Sequence, residues 1–176
     1  MNRILLGFSN NIDYEISWNQ DFFNELILRY KICYEDINRL EEIQSIRDLL
    51  ITILFCVKNN IGLECHVNNY TALYEFSSLF EYKITHGGTA IRAGIALNIM
   101  NKSCAVYLSS YSRDIVNLLP SKIHYLNCSR YTESFPHIIV QYPENTTFNL
   151  SGKKIFSPRA ERIIFVNDVI NENILI

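Results

Sequence analysis

An α/β fold, a layered sheet with a small antiparallel β segment after it, is what this sequence predicts, and three observations predict it. Residues 81–126 alternate strand, helix and strand twice over; residues beyond 130 bring strand after strand with no helix between; and a short apolar run at the amino terminus leads straight into a polar cluster. Composition agrees: of 176 residues, 48% are hydrophobic and 19% charged, with a formal net charge of -2 and a mean hydropathy near zero. These are the proportions of a soluble globular domain. Acids and bases are interspersed, so there is no basic footprint for a nucleic acid. The first apolar run is far too short for a secretory core or a membrane span, which makes the cytoplasm the expected location and a membrane an unexpected partner.

Taken in order, Arg3-Ile4-Leu5-Leu6-Gly7-Phe8 reads as a short buried strand running into Ser9-Asn10-Asn11-Ile12-Asp13. Ligands of open α/β sheets lie outside the carboxyl ends of strands, which is where this cluster falls. Asn11 and Asp13 flank Ile12 and so share one face of an extended segment. A carboxylate beside a carboxamide can accept from and donate to neighbouring hydroxyls, as a sugar or polyol presents them; an Asx-rich turn closing the strand fits the same residues. Residues 18–30 and 37–57 carry apolar side chains at steps of three and four, predicting two amphipathic helices, the second stopped by Asn59-Asn60-Ile61-Gly62 with Gly62 as a left-handed C-cap. A shorter helix follows over about 70–79 and a strand over 81–85.

Gly87-Gly88-Thr89 then opens a run of small and apolar residues, Ala90, Ile91, Ala93, Gly94, Ile95, Ala96, Leu97 and Ile99. This predicts a tight turn, with Thr89 able to cap, leading into a buried helix. Such a turn brings bare amides close to a ligand, and it also serves as plain punctuation. Arg92, one turn into the helix and amid apolar residues, needs an anionic partner: a charged group of a ligand, or an acidic side chain under the loop. Further on, 105–108 reads as an interior strand, 112–119 as a helix ended by Pro120, and 123–126 as another strand. Residues 135–142 are β-rich, 143–152 polar turn material, 153–156 extended and 161–166 strongly strand-like, an antiparallel ribbon set apart as a lid. The expected division is an α/β layer over 1–129, a lid ribbon over 130–168 and a tail over 169–176.

Cys33, Cys56, Cys65, Cys104 and Cys128 are odd in number, scattered and without a CxxC pair, as buried reduced thiols are. His66, His86, His124 and His137 share no metal-ligand spacing with them, so no zinc site is expected. Without an export signal, the sequons at Asn145-Thr146-Thr147 and Asn149-Leu150-Ser151 are chance matches.

In order and spacing, Gly7-Phe8-Ser9-Asn10-Asn11-Ile12-Asp13, then Gly87-Gly88-Thr89-Ala90, then Ser157-Pro158-Arg159-Ala160-Glu161-Arg162-Ile163-Ile164-Phe165 resemble the ADP-dependent glucokinase and phosphofructokinase family of the ribokinase-like superfamily. The likeness covers most of the chain; each motif is short, and their order is the specific part. It implies a partial ribokinase-like layered sheet with a small antiparallel β lid. It also implies that Asn11 and Asp13 hold sugar hydroxyls while Gly87 and Gly88 approach the sugar through backbone amides, with Thr89 standing where the family commonly has Gln or Asn. His137, in Pro136-His137-Ile138-Ile139-Val140-Gln141-Tyr142, looks like the family's lid strand, where a His can reach the sugar, although Gln141 replaces the usual acid. Arg162 resembles the Arg of an Asn-Arg-Phe segment, with Glu161 for the Asn, and a phosphorylated sugar suits such an Arg.

The family's catalytic Gly-x-Gly-Asp turn is missing: the six glycines are Gly7, Gly62, Gly87, Gly88, Gly94 and Gly152, and none precedes an Asp. The resemblance therefore implies ADP and Mg2+ for the complete enzyme, with neither bound by this chain alone, no catalytic residue within it and no metal site. Asn38-Arg39-Leu40-Glu41 matches an Asn-x-x-Glu metal-related motif of some ribokinase-like enzymes, but it falls in a predicted amphipathic helix, where it is coincidence. Three readings follow: a portion of a sugar kinase, active only with a complementary chain; a sugar-binding or regulatory module without transfer chemistry; or an interaction protein of an unrelated α/β fold. A parallel sheet cut midway exposes an edge and an apolar face, so a homodimer or a complementary catalytic chain is the expected partner, besides the sugar or sugar phosphate.

Overall fold

A computed structural model describes residues 4–7, 10–127 and 135–167 of the chain. The sequence readings at Arg3, Phe8, Ser9 and Cys128, the start of the lid and the tail over 169–176 lie outside the described residues. In chain order the elements are β1 (Ile4–Leu6), β2 (Asn11–Ile16), α1 (Gln20–Arg29), a 3-10 turn (Tyr34–Asp36), α2 (Ile46–Asn59), β3 (Leu63–His66), α3 (Tyr70–Ser78), β4 (Tyr82–Gly87), α4 (Thr89–Ile99), β5 (Cys104–Leu108), α5 (Arg113–Leu118), β6 (His124–Asn127), β7 (His137–Tyr142), β8 (Thr146–Leu150), β9 (Lys153–Ser157) and β10 (Glu161–Val166). They fall into two compact units. Unit 1 comprises Met1–Asp13, Ile84–His137 and Asp168–Ile176; unit 2 comprises Tyr14–Lys83 and Ile138–Asn167.

Unit 1 is built on a parallel sheet in the order β1-β5-β6, with Ile4 opposite Cys104 and Ala105 opposite His124. Strand β5, helix α5 and strand β6 form one of the expected strand-helix-strand passages. Ser112 starts α5 as its N-cap, accepting from the Ile115 amide. Helix α4 packs through Gly94, where an added Cβ would lie 2.9 Å from Val106 Cγ2 and 3.7 Å from both Cys104 Sγ and Leu6 Cδ1. The expectation of a buried helix is corrected here. Only Ala90, Ile91 and Gly94 of α4 are buried, and Ile99 is 75% exposed, because the helix has the sheet on one side only.

Unit 2 holds the large apolar core, with Leu49, Leu50, Ile53 and Leu54 of α2 set among Phe23, Phe76, Phe165, Ile138, Val140 and Tyr142. A five-stranded sheet runs β3-β10-β7-β2-β4, with β3 parallel to β10 and β10 antiparallel to β7. The strands over 135–142 and 161–166 are therefore not a ribbon set apart. Ile138, Ile139 and Val140 are buried in succession, so both faces of β7 are covered, which an interior position in a mixed sheet provides. The separate antiparallel piece is the β8-β9 hairpin, whose first strand lies in the segment expected to be turn.

Two further boundaries differ from expectation. Residues 37–45 are not helical, because a capping box, Ser45 accepting from the Asp48 amide and Asp48 from the Ser45 amide, starts α2 at Ile46. The left-handed C-cap of α2 is Asn60, at φ 57°, and Gly62 is needed for a different reason: a Cβ there would lie 2.8 Å from the Arg162 carbonyl oxygen. Among the described residues, Cys33, Cys56, Cys65 and Cys104 are free thiols, Cys33 exposed rather than buried. Burial pushes the Cys56 thiol up to about 12 and the Cys65 thiol to about 11. No helix among the described residues is long and apolar enough to cross a membrane. The class is mixed α/β, with parallel and mixed sheets and a small antiparallel one, as the sequence predicts.

Candidate functional site

Within unit 1, the start of β2, the end of β4, the first turns of α4 and His137 meet in one polar cluster. Strand alternation turns Asn11 and Asp13 to one face and buries Ile12 on the other. Against that face runs Gly87. An added Cβ there would fall on the Asn11 carboxamide and the Asp13 carboxylate, so the glycine is required by close approach. Gly88, at φ 86°, takes the left-handed conformation that lets the chain turn into α4. Gly88 itself is the N-cap and has no side chain to cap with; Thr89 is the first helical residue, exposed, which corrects its expected capping role.

Hydrogen bonding fixes the protonation pattern. Asn11 Nδ2 donates to Asp13 Oδ1 and lies 2.9 Å from His137 Nδ1. An amide nitrogen carries two hydrogens, so the second points to an accepting Nδ1, and the imidazole proton is assigned to Nε2. The opposite orientation of the amide would set its oxygen against the Asp13 carboxylate. Arg92 Nη2 donates to Asp13 Oδ2 at 3.0 Å, and His137 Nδ1 stands 3.9 Å from Asp13 Oδ1. Of the two partners the sequence left open for Arg92, the structure shows the acidic side chain. Asp13 is only 3% exposed and needs these donors, since a buried carboxylate without them is costly. The Arg92 side chain, in contrast, is 52% exposed.

Two neighbours escaped the sequence reading. Asn10 Nδ2 donates to the carbonyl and the hydroxyl of Ser110, each at 2.9 Å, and its Oδ1 accepts from the amides of Ser109 at 2.7 Å and Ser110 at 3.2 Å. That bundle ties the start of β2 to the loop after β5; the signal was a buried Asn and a Ser pair, each just past a strand. The second is His86, buried one residue before Gly87, with neither ring nitrogen in a well-formed hydrogen bond. Burial lowers its pKa below 6.5, opposed by the Leu118 backbone and the Asp13 charge. Arg162 belongs to unit 2, where it stands exposed on β10 opposite Gln141. No three His, Cys, Asp or Glu side chains gather as a metal ion would need among the described residues. Asn38, Arg39, Leu40 and Glu41 line a cavity of about 270 Å³ in unit 2.

The family described as the ADP-specific phosphofructokinase/glucokinase conserved region matches residues 2–176. No curated protein matches the chain. Among solved structures, a phosphofructokinase from Pyrococcus horikoshii OT3 with AMP aligns with a TM-score of 0.67 at 19% identity, covering 94% of this chain and 41% of that one. The last common ancestor of ADP-dependent phosphofructokinases from Methanosarcinales gives 0.64 at 16%, covering 93% and 38%. An ADP-dependent kinase in complex with fructose-6-phosphate and ADPβS gives 0.69 at 12%, covering 94% and 35%. The chain thus spans between 35% and 41% of the length of these structures, and at such identities the likeness is one of fold. Because the family match runs along practically the whole sequence, the chain belongs to the ADP-specific phosphofructokinase/glucokinase family.

Proposed function

We propose that this chain is the sugar- or sugar-phosphate-binding portion of an ADP-dependent sugar kinase, the part that holds a hexose while phosphate is transferred to one of its hydroxyls. The observation that carries this reading is the convergence of Asn11, Asp13, Gly87, Arg92 and His137, distant in sequence, on one polar cluster. Asp13 accepts from hydroxyls, Asn11 Oδ1 accepts beside it, and the amides of Gly87 and Gly88 line the approach, with Thr89 at the mouth. His137 adds a donor through Nε2. The kinase solved with fructose-6-phosphate supports a sugar phosphate as ligand.

Phosphoryl transfer also needs a base at the acceptor hydroxyl, a cradle for the donor phosphates and usually magnesium. This sequence has no Gly-x-Gly-Asp. ADP, Mg2+ and the base are proposed to come from outside these residues, a complementary chain being one source, and these residues alone are expected to bind without transferring. Its free thiols suit the cytoplasm.

Calorimetry of the full chain with glucose and with fructose 6-phosphate tests the proposal. Heat of binding is expected at millimolar ligand or below, and Asp13→Ala should remove it while circular dichroism stays native. Folded protein that binds neither sugar, or an Asp13→Ala variant that binds as the parent does, would sink the assignment.

A further inference from the structure

Strand β3 closes one end of the five-stranded sheet, and its register settles which backbone groups are left over. The Val67 amide, just past the strand, donates to the Val166 carbonyl at 2.7 Å, while the Asn68 amide donates at 2.9 Å to the Ile43 carbonyl on the opposite side. Alternation carries this back along the strand: Leu63 and Cys65 bond to β10, and the N–H and C=O groups of Glu64 and His66 point outward. Among the described residues no backbone partner meets the amides of Glu64 and His66. Residues 38–41 pass beside this edge without pairing with it, and between them lies the cavity of about 270 Å³.

The cavity has the lining of a recess for a side chain at a strand edge. Ile43, Phe55 and Leu63 form its apolar part, and Arg39, Glu41, Glu64 and His66 its polar part, all within unit 2. Two carboxylates there outnumber one guanidinium, so the rim is net negative, and among the described residues none of the three is held in an ion pair. The outward row of amides and carbonyls beside it is the hydrogen-bonding pattern that another extended backbone matches.

We propose that the β3 edge is a docking site for an extended peptide segment of another protein, added to the sheet as a further strand, with an apolar side chain seated against Phe55 and Leu63 and a basic residue beside it. Backbone pairing with Glu64 and His66 supplies the affinity, and the apolar recess with its net negative rim supplies the selection. Leu63–His66 contains neither a Pro nor a Lys, the residues that turn incoming strands away. The site is independent of the sugar cluster, whose residues belong to unit 1.

Fluorescence anisotropy of the full chain with a dye-labelled hexapeptide of alternating Lys and Val tests this. Saturable binding is expected at submillimolar peptide, weakened about ten-fold or more when Glu replaces Lys, and likewise when every peptide amide is N-methylated and its pairing donors are gone. His66→Pro takes away one outward N–H and spares the ladder to β10, so it should weaken binding about five-fold or more, while His66→Ala should bind as the parent does. Glu41→Lys combined with Glu64→Lys should reverse the preference between the Lys and Glu peptides. No binding at millimolar peptide, equal binding of the N-methylated form, or a His66→Pro variant that folds and binds as the parent does overturns the proposal. So does a wild-type dimer that His66→Pro disperses, since the edge then belongs to a second copy. Should His66→Pro fail to fold, the N-methylated peptide and the charge reversal decide.

Discussion

Gly87 carries no side chain because Asn11 and Asp13 occupy the space one would take. Gly87→Ala should push the Asn11 carboxamide off Asp13, costing about 2 kcal/mol through overpacking and a broken polar network, and should abolish sugar binding. Urea denaturation and calorimetry check the two halves; a variant as stable as the parent would show that the cluster can yield. The sequence marked this glycine as half of a turn, and the turn is real at Gly88. That Gly87 is excluded by two side chains from residues 11 and 13 is a packing fact, visible only once β2 and β4 are in place. His86, next along the strand, gives a pH dependence whose sign follows from burial. Its folded pKa is depressed, so the unfolded chain takes up a proton first as pH falls below 6.5. Stability is therefore complete above that value and declines as pH drops through the folded pKa. Urea midpoints of wild type and His86→Leu compared from pH 7.5 downward should run parallel above 6.5 and separate below it, the wild type losing stability that the variant keeps; curves parallel throughout would remove His86 from the acid response.

At the level of elements, the β8-β9 hairpin shows what patterning misses and turn chemistry recovers. Ser151 and Gly152 are the two residues between its strands and both have positive φ, 50° and 78°, which is a type I′ turn. Ser tolerates that conformation poorly and Asn well, so Ser151→Asn should stabilise the protein by about 0.5 kcal/mol. Gly152→Ala should destabilise it by about 1 kcal/mol although nothing lies within 4 Å of the added Cβ, the effect being purely one of backbone. Thermal unfolding of both variants measures this, and two neutral substitutions would mean that the hairpin frays independently of the fold. The sequence reading took 143–152 as turn because Asn145, Thr146, Thr147 and Asn149 are polar; alternation of buried Thr146, Phe148 and Leu150 was there, masked by a hydroxyl on the inner face. Where elements are local, as in β5, α5 and β6, periodicity and caps were enough. The mixed sheet was not legible, since the pairing of β7 and β10 with strands far earlier in the chain leaves no local mark.

For the molecule as a whole, the parallel sheet of unit 1 sets the question of partners. Register puts Leu5 beside Ala105 and His124, and Tyr107 beside Leu126, all on the face away from Leu6, Cys104 and Val106, against which Gly94 of α4 packs. On that face Leu5 is 59% and Leu126 50% exposed. Parallel sheets are ordinarily covered on both sides, because their strands are apolar on both. An open apolar face of this kind drives association, with a second copy or with the complementary chain proposed above. Sedimentation at micromolar concentration should therefore show a species heavier than the 20.5 kDa monomer, or a monomer that gains mass when a chain carrying the Gly-x-Gly-Asp turn is supplied. Leu5→Glu with Leu126→Lys should disperse the assembly with little change in unfolding midpoint, since neither side chain is in the core. A wild-type chain that stays monomeric alone and with such a partner would mean that this face needs no cover, and the case for a complementary catalytic chain would lose its structural support.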